Sequence, residues 1–185
     1  MKAGVLALQG DFREHCRVLE AAGATPIEIR APGELAEVDC LVIPGGESTT
    51  ISKLARAYDL VEPIRARAQA GMPMLGTCAG MIVMAERVEG GRPLLSLVDI
   101  TVRRNAYGRQ VDSFETQVRV SGIEGPVRAV FIRAPQVAEI GPGVLVLAEH
   151  EDRPVVLEQW NLVVSAFHPE LVGETGLHEY VLGKV

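Results

Sequence analysis

The sequence predicts an α/β fold of three layers, with a mostly parallel central sheet flanked by helices and an added region of antiparallel strands. Three observations carry this expectation. Apolar runs of strand length alternate with stretches of helical period through the first half of the chain. After Gly90-Gly91 the texture changes to closely spaced strand-like runs. At 185 residues and 48% hydrophobic content the chain can bury a sizeable core, and residues 1–185 are read as one domain without repeats, linker or low-complexity segment.

Each element has its own reason. Lys2 followed by Ala3 to Leu8 has the start of a secretory leader, but the apolar run stops at Gln9-Gly10-Asp11 with no small-residue cleavage pattern, so residues 4–8 are expected to be a buried strand. A helix over 12–22 follows, with Phe12, Cys16, Leu19 and Gly23 on one stripe, and then strands at 25–29 and 40–43. Helices are expected over 50–58, where Ile51, Leu54, Ala55 and Tyr58 share a face, and over 61–70. A strand at 72–75 leads into a helix at 79–87. Beyond the glycine pair, strands are expected at 98–102, 116–120, 129–132, 144–148 and 155–158, hairpins that extend the sheet. An apolar run at 162–167 and a helix at 175–182 close the chain.

Composition narrows function. A net charge of −6 and a pI near 5.3 exclude the basic face that nucleic acid requires. No apolar run approaches the roughly 18 residues of a membrane span. Aromatic residues are only 4%, so the core is aliphatic. The three cysteines are too far apart for a disulfide framework or a C-x-x-C metal site, which points to a reducing cytoplasm. Cys40 and Cys16 fall on packing positions. His15, His150 and His178 have no partner at ligand spacing, and no metal is expected.

The chemistry concentrates in three segments. In Gly76-Thr77-Cys78-Ala79-Gly80 a nucleophile-type residue lies between two glycines, where a buried strand turns into a helix. This is the layout of a nucleophile elbow, with the helix dipole and free N–H groups favouring a thiolate. In His168-Pro169-Glu170 the proline pushes His168 toward extended backbone. Side chains two apart on an extended segment share a side, so Glu170 can orient the imidazole. Cys78, His168 and Glu170 thus read as nucleophile, base and orienting carboxylate. In Pro44-Gly45-Gly46-Glu47-Ser48-Thr49, glycines after a strand allow the Gly46 N–H to face a developing oxyanion. A phosphate loop is the rival there, but the Gly-Lys-Ser/Thr ending is absent and Glu47 would repel phosphate.

With these segments and two more, Leu8-Gln9-Gly10-Asp11-Phe12-Arg13-Glu14-His15 and Phe131-Ile132-Arg133-Ala134-Pro135, nearly the whole chain resembles the class I glutamine amidotransferases. Within them it resembles the family of glutaminase subunits of pyridoxal 5'-phosphate synthase. The resemblance implies the amidotransferase fold and a cytoplasmic enzyme that hydrolyses L-glutamine through a Cys78 thioester, with His168 as acid and base. It further implies glutamine contacts from Gly46, Glu47, Ser48, Arg104, Ile132 and Arg133, and oxyanion donors at Gly46 and Ala79. It implies no cofactor, because pyridoxal phosphate is the product of the complex. The implied partner is a (β/α)8-barrel synthase subunit that consumes the ammonia. Three other readings stay open: the glutaminase of another ammonia-using synthase such as that of histidine biosynthesis, a Cys-dependent hydrolase with the same sheet, and a non-catalytic glutamine sensor.

Overall fold

The computed structural model describes residues 1–104 and 113–185. The first half is built from β1 (Lys2–Leu6), α1 (Phe12–Ala21), β2 (Thr25–Ile29), α2 (Pro32–Leu35), β3 (Cys40–Ile43), α3 (Ser48–Ala57), α4 (Val61–Gln69), β4 (Met74–Thr77) and α5 (Ala79–Met84). The second half contributes β5 (Ala85–Val88), β6 (Val98–Arg103), β7 (Phe114–Arg119), β8 (Pro126–Phe131), β9 (Gln136–Ile140), β10 (Leu145–His150), β11 (Arg153–Gln159) and β12 (Leu162–Ser165). A single 3₁₀ turn, Glu170–Val172, and α6 (Gly176–Leu182) complete the chain.

Seven strands form the central sheet in the order β10-β11-β12-β4-β3-β1-β2. The five from β12 to β2 run parallel, and β11 and β10 add an antiparallel edge. β3, β4 and β12 are buried at every position, which is why they read as continuous apolar runs and not as alternation. The chain moves outward from β1 to β2 and then back across β1 to β3. Right-handed crossovers therefore place α1 on one face and the helices that follow β2 and β3 on the other. α1 meets α6 on its side, and α3 meets α5 on the opposite one.

The second half departs in part from the hairpin extension read in the sequence. Among the described residues, only β10 and β11 extend the central sheet. β5-β6-β9 and β7-β8 form two small separate sheets, and the β5–β6 pair is parallel. α5 is also shorter than the helix expected over 79–87, because Ala85 turns to extended backbone (φ −60°, ψ 144°) and begins β5. Among the described residues no helix is long and apolar enough to cross a membrane.

Candidate active site

Four loops converge at the C-terminal ends of the parallel strands, the usual ligand position in an open α/β sheet. They follow β1, β3, β4 and β12. Where β4 meets α5, Cys78 takes φ 48° and ψ −101°, a backbone conformation costly for a residue with a Cβ. Its N–H is held by the Ser165 carbonyl at 2.8 Å, so the elbow is bolted to β12.

Positive backbone φ is not what the flanking glycines contribute. Neither Gly76 nor Gly80 has a positive φ; the strained residue is Cys78 itself. What the glycines supply is room. A Cβ on Gly76 would lie 2.6 Å from the Met84 sulfur and 2.9 Å from the Gly80 backbone, and one on Gly80 would run into the Ile43 carbonyl. Gly80→Ala is therefore expected to destabilise the fold by about 1–3 kcal/mol, since a backbone carbonyl cannot swing aside. Urea unfolding checks this: an unchanged midpoint would show that α5 can shift without cost.

The imidazole of His168 follows β12. His168 is anchored by its N–H to the Val130 carbonyl at 2.8 Å, and its Nδ1 stands 2.8 Å from Glu170 Oε1. The extended segment expected at 168–170 is not formed. Pro169 adopts helical dihedrals (φ −69°, ψ −30°), and Glu170 opens the 3₁₀ turn, which folds the carboxylate back under the imidazole. Proline restricts the residue before it, but its own fixed φ suits a helical turn. Both side chains are buried.

Electrostatics favour a charged pair. Burial opposes the imidazolium, but Asp11, Cys78 and Glu170 outweigh it and push the His168 pKa up to about 12. Burial also favours a protonated Glu170; His15 and His168 overcome this and hold the carboxyl well below its usual range. By contrast, burial and nearby carboxylates push Cys16 and Cys40 up to about 11, away from thiolate character.

The cleft has a volume of about 400 Å³. It brings together Cys78, Ala79, Gly46, Glu47, Ser48, Arg104, Ile132, Arg133 and His168, with Glu170 behind the imidazole. The Ile132 carbonyl lies 3.9 Å from Cys78 Sγ, and Arg133 takes φ 45° beside it. Glu47 caps α3, accepting from the Thr49 and Thr50 N–H groups, and also faces Arg104 Nη2 at 3.3 Å. An acid and a base on one wall suit a zwitterionic ligand. Of the basic segment around Arg104, residues 105–109 lie outside the described residues.

Sequence reasoning missed Gln9 and Asp11. Gln9 Oε1 accepts the Glu47 N–H at 2.7 Å and lies 2.6 Å from where a Gly46 Cβ would fall; Gly46 has φ 145°, so both space and conformation demand glycine there. The Asp11 N–H donates to the Gly45 carbonyl at 3.2 Å, while its carboxylate stands 3.4 Å from His168 Nδ1. Polar residues after a first strand, Gln9-Gly10-Asp11, were the available signal.

The model of the SNO glutamine amidotransferase family matches residues 5–185. The chain belongs to the SNO glutamine amidotransferase family. The family's fold, a class I glutamine amidotransferase α/β sheet with a separate antiparallel region, is the one described above. A Parafrankia sp. (strain EAN1pec) protein named pyridoxal 5'-phosphate synthase subunit PdxT is 56% identical over 96% of this chain and 89% of its own length. The protein of that name from Desulforudis audaxviator (strain MP104C) is 53% identical over 98% and 97%. A crystal structure described as a glutamine amidotransferase superposes with a TM-score of 0.94 at 45% identity, covering 98% of this chain and 97% of the other. A more distant structure, PurLQS from Thermotoga maritima, shares the fold at a TM-score of 0.75 and 16% identity, covering 99% and 95% of the two chains.

Proposed function

We propose that the chain is the glutaminase subunit of a pyridoxal 5'-phosphate synthase, hydrolysing L-glutamine to L-glutamate and ammonia. The observation that carries this is the strained Cys78 elbow opening into one cleft with the His168–Glu170 pair and the Glu47–Arg104 pair. Arg104 meets the α-carboxylate of glutamine and Glu47 its α-ammonium, while Ser48, Ile132 and Arg133 line the path of the side chain to the sulfur. The Cys78 thiolate attacks the amide carbon, and the N–H groups of Gly46 and Ala79 hold the resulting oxyanion. Each such donor lowers the barrier by about 3–4 kcal/mol. His168, already protonated, hands its proton to the departing ammonia. The neutral imidazole then takes a proton from water, which attacks the thioester and releases glutamate. Pyridoxal phosphate has no role in these steps.

The ammonia is consumed by a barrel-type synthase subunit, and docking is expected to switch the glutaminase on. The Gly45–Gly46 peptide is tethered by the Asp11 N–H on its carbonyl at 3.2 Å. Turning it over costs about 1 kcal/mol of hydrogen bonding. Losing or gaining one oxyanion donor changes turnover roughly 10²- to 10³-fold, so this peptide suffices as a switch. The test is ammonia release at saturating glutamine from the chain alone and with increasing synthase subunit. A rise of that order is expected. No release under either condition would refute the glutaminase reading, and full release without the partner would refute the switch.

A further inference from the structure

Behind the cleft lies a buried polar cluster that none of the proposed steps uses. His15, on α1, has no exposed surface. Its Nε2 faces both Thr77 Oγ1, at 3.1 Å, and Glu170 Oε1, at 3.3 Å, and its Nδ1 lies 2.8 Å from Nε2 of His178 on α6. Thr77 immediately precedes the nucleophile. One imidazole thereby joins the end of the Cys78 strand, the carboxylate that orients His168, and two helices.

One donor is fixed. An ionised carboxylate only accepts, so the His15 nitrogen facing Glu170 carries a hydrogen. Burial, then the neighbouring His15, pushes the His178 pKa down to about 3, so His178 is neutral. His178 Nε2 and His15 Nδ1 share one hydrogen, and the tautomer decides which of them donates. Glu170 Oε1 thus accepts from His15 on one side and from His168 on the other. Glu170 Oε2 makes no hydrogen bond among the described residues, so the carboxylate is held through one oxygen, between two imidazoles.

Resting on the glutaminase reading, we propose that His15, braced by His178, is a positioning residue that fixes the Glu170 carboxylate and acts on His168 only through it. Nothing else among the hydrogen bonds described for Glu170 holds the side of Oε1 away from His168. Without His15, the buried carboxyl would lose a donor that favours its ionised form and its aim at Nδ1 together.

The experiment uses the complex of this chain with its synthase subunit. His15→Leu is expected to lower kcat roughly 10- to 100-fold with KM nearly unchanged, the range found for outer-shell partners elsewhere. His15→Gln places an amide N–H where Nε2 stood and should recover most of the loss. His15→Asn, whose amide reaches only the His178 side, should not, and this pair decides the matter if the leucine variant fails to fold. In the Glu170→Gln background the His15 substitutions should add little further loss. Equal kcat for parent, Gln and Asn variants, or full additivity with Glu170→Gln, would overturn the proposal. Alkylation of Cys78 by iodoacetamide reads the same cluster without glutamine: its rate should fall in His15→Asn and hold in His15→Gln. A parent protein that alkylates in this pattern yet releases no ammonia would sink the glutaminase reading and leave the positioning role standing.

Discussion

Cys78→Ala is expected to leave a folded protein with no measurable glutamine hydrolysis. The thioester requires the sulfur, and no other cysteine can replace it. Cys40 is buried in β3, and Cys16 lies on α1, outside the cleft. The substitution removes one atom at a position whose backbone is held by the Ser165 carbonyl and not by the side chain. Alanine still has a Cβ, so the strain at φ 48° persists and stability should change little. The measurement is ammonia release by the variant in complex with the synthase subunit, with circular dichroism to confirm folding. Cys16→Ala and Cys40→Ala should turn over glutamine like the parent, with some loss of stability at the buried Cys40. Appreciable turnover by Cys78→Ala would rule out covalent catalysis at this residue.

His168→Ala should be nearly as inactive, by roughly 10⁴-fold or more, since it removes both the acid for ammonia and the base for water. Glu170→Gln should retain more activity, because it changes orientation and charge but leaves the imidazole. The same pair predicts a pH signature in stability. Glu170 titrates below its ordinary 4.5 in the folded state, so its contribution is present above about pH 4.5 and is lost as pH falls toward the folded value. His168 titrates above its ordinary 6.5, so its contribution is complete below about pH 6.5 and fades as pH rises toward 12. Both contributions are full only between about pH 4.5 and 6.5. Unfolding free energies of parent and Glu170→Gln should therefore differ most in that window. A difference that does not vary with pH would mean the pair is not ionised as described.

The order of elements was legible because buried parallel strands such as β3 and β4 must be continuously apolar, and because Cys78 and His168 follow such runs directly. Three features were not. The four residues of β5 continue the apolar helical pattern of α5, and nothing local marks Ala85 as the point where the backbone extends. The geometry of Glu170 was misread for a similar reason: Pro169 permits either an extended or a helical exit, and tertiary packing chose the turn. The His15–His178 contact joins residues near opposite ends of the chain, a separation over which spacing carries no information. Motif spacing nonetheless pointed to Cys78, His168, Glu170 and the Gly46 loop, because these sit at strand ends, where glycines and polar residues interrupt apolar runs, while Gln9 and Asp11 were not picked out.

The elbow and the base stand on neighbouring strands, Met74 pairing with Leu162 and Thr77 with Ser165, yet almost half of the chain is synthesised between them. At about 5–20 residues per second, a ribosome presents Cys78 several seconds before the strand that leads into His168. During that interval β4 has its β3 neighbour but lacks β12, and the Cys78 N–H has no Ser165 carbonyl to receive it. On the proposed mechanism, a chain stalled before residue 162 would hold its nucleophile without its base and would release no ammonia. Glutaminase activity would then arise only once residues 162–170 are in place, so an unfinished subunit would spend none of the cell's glutamine.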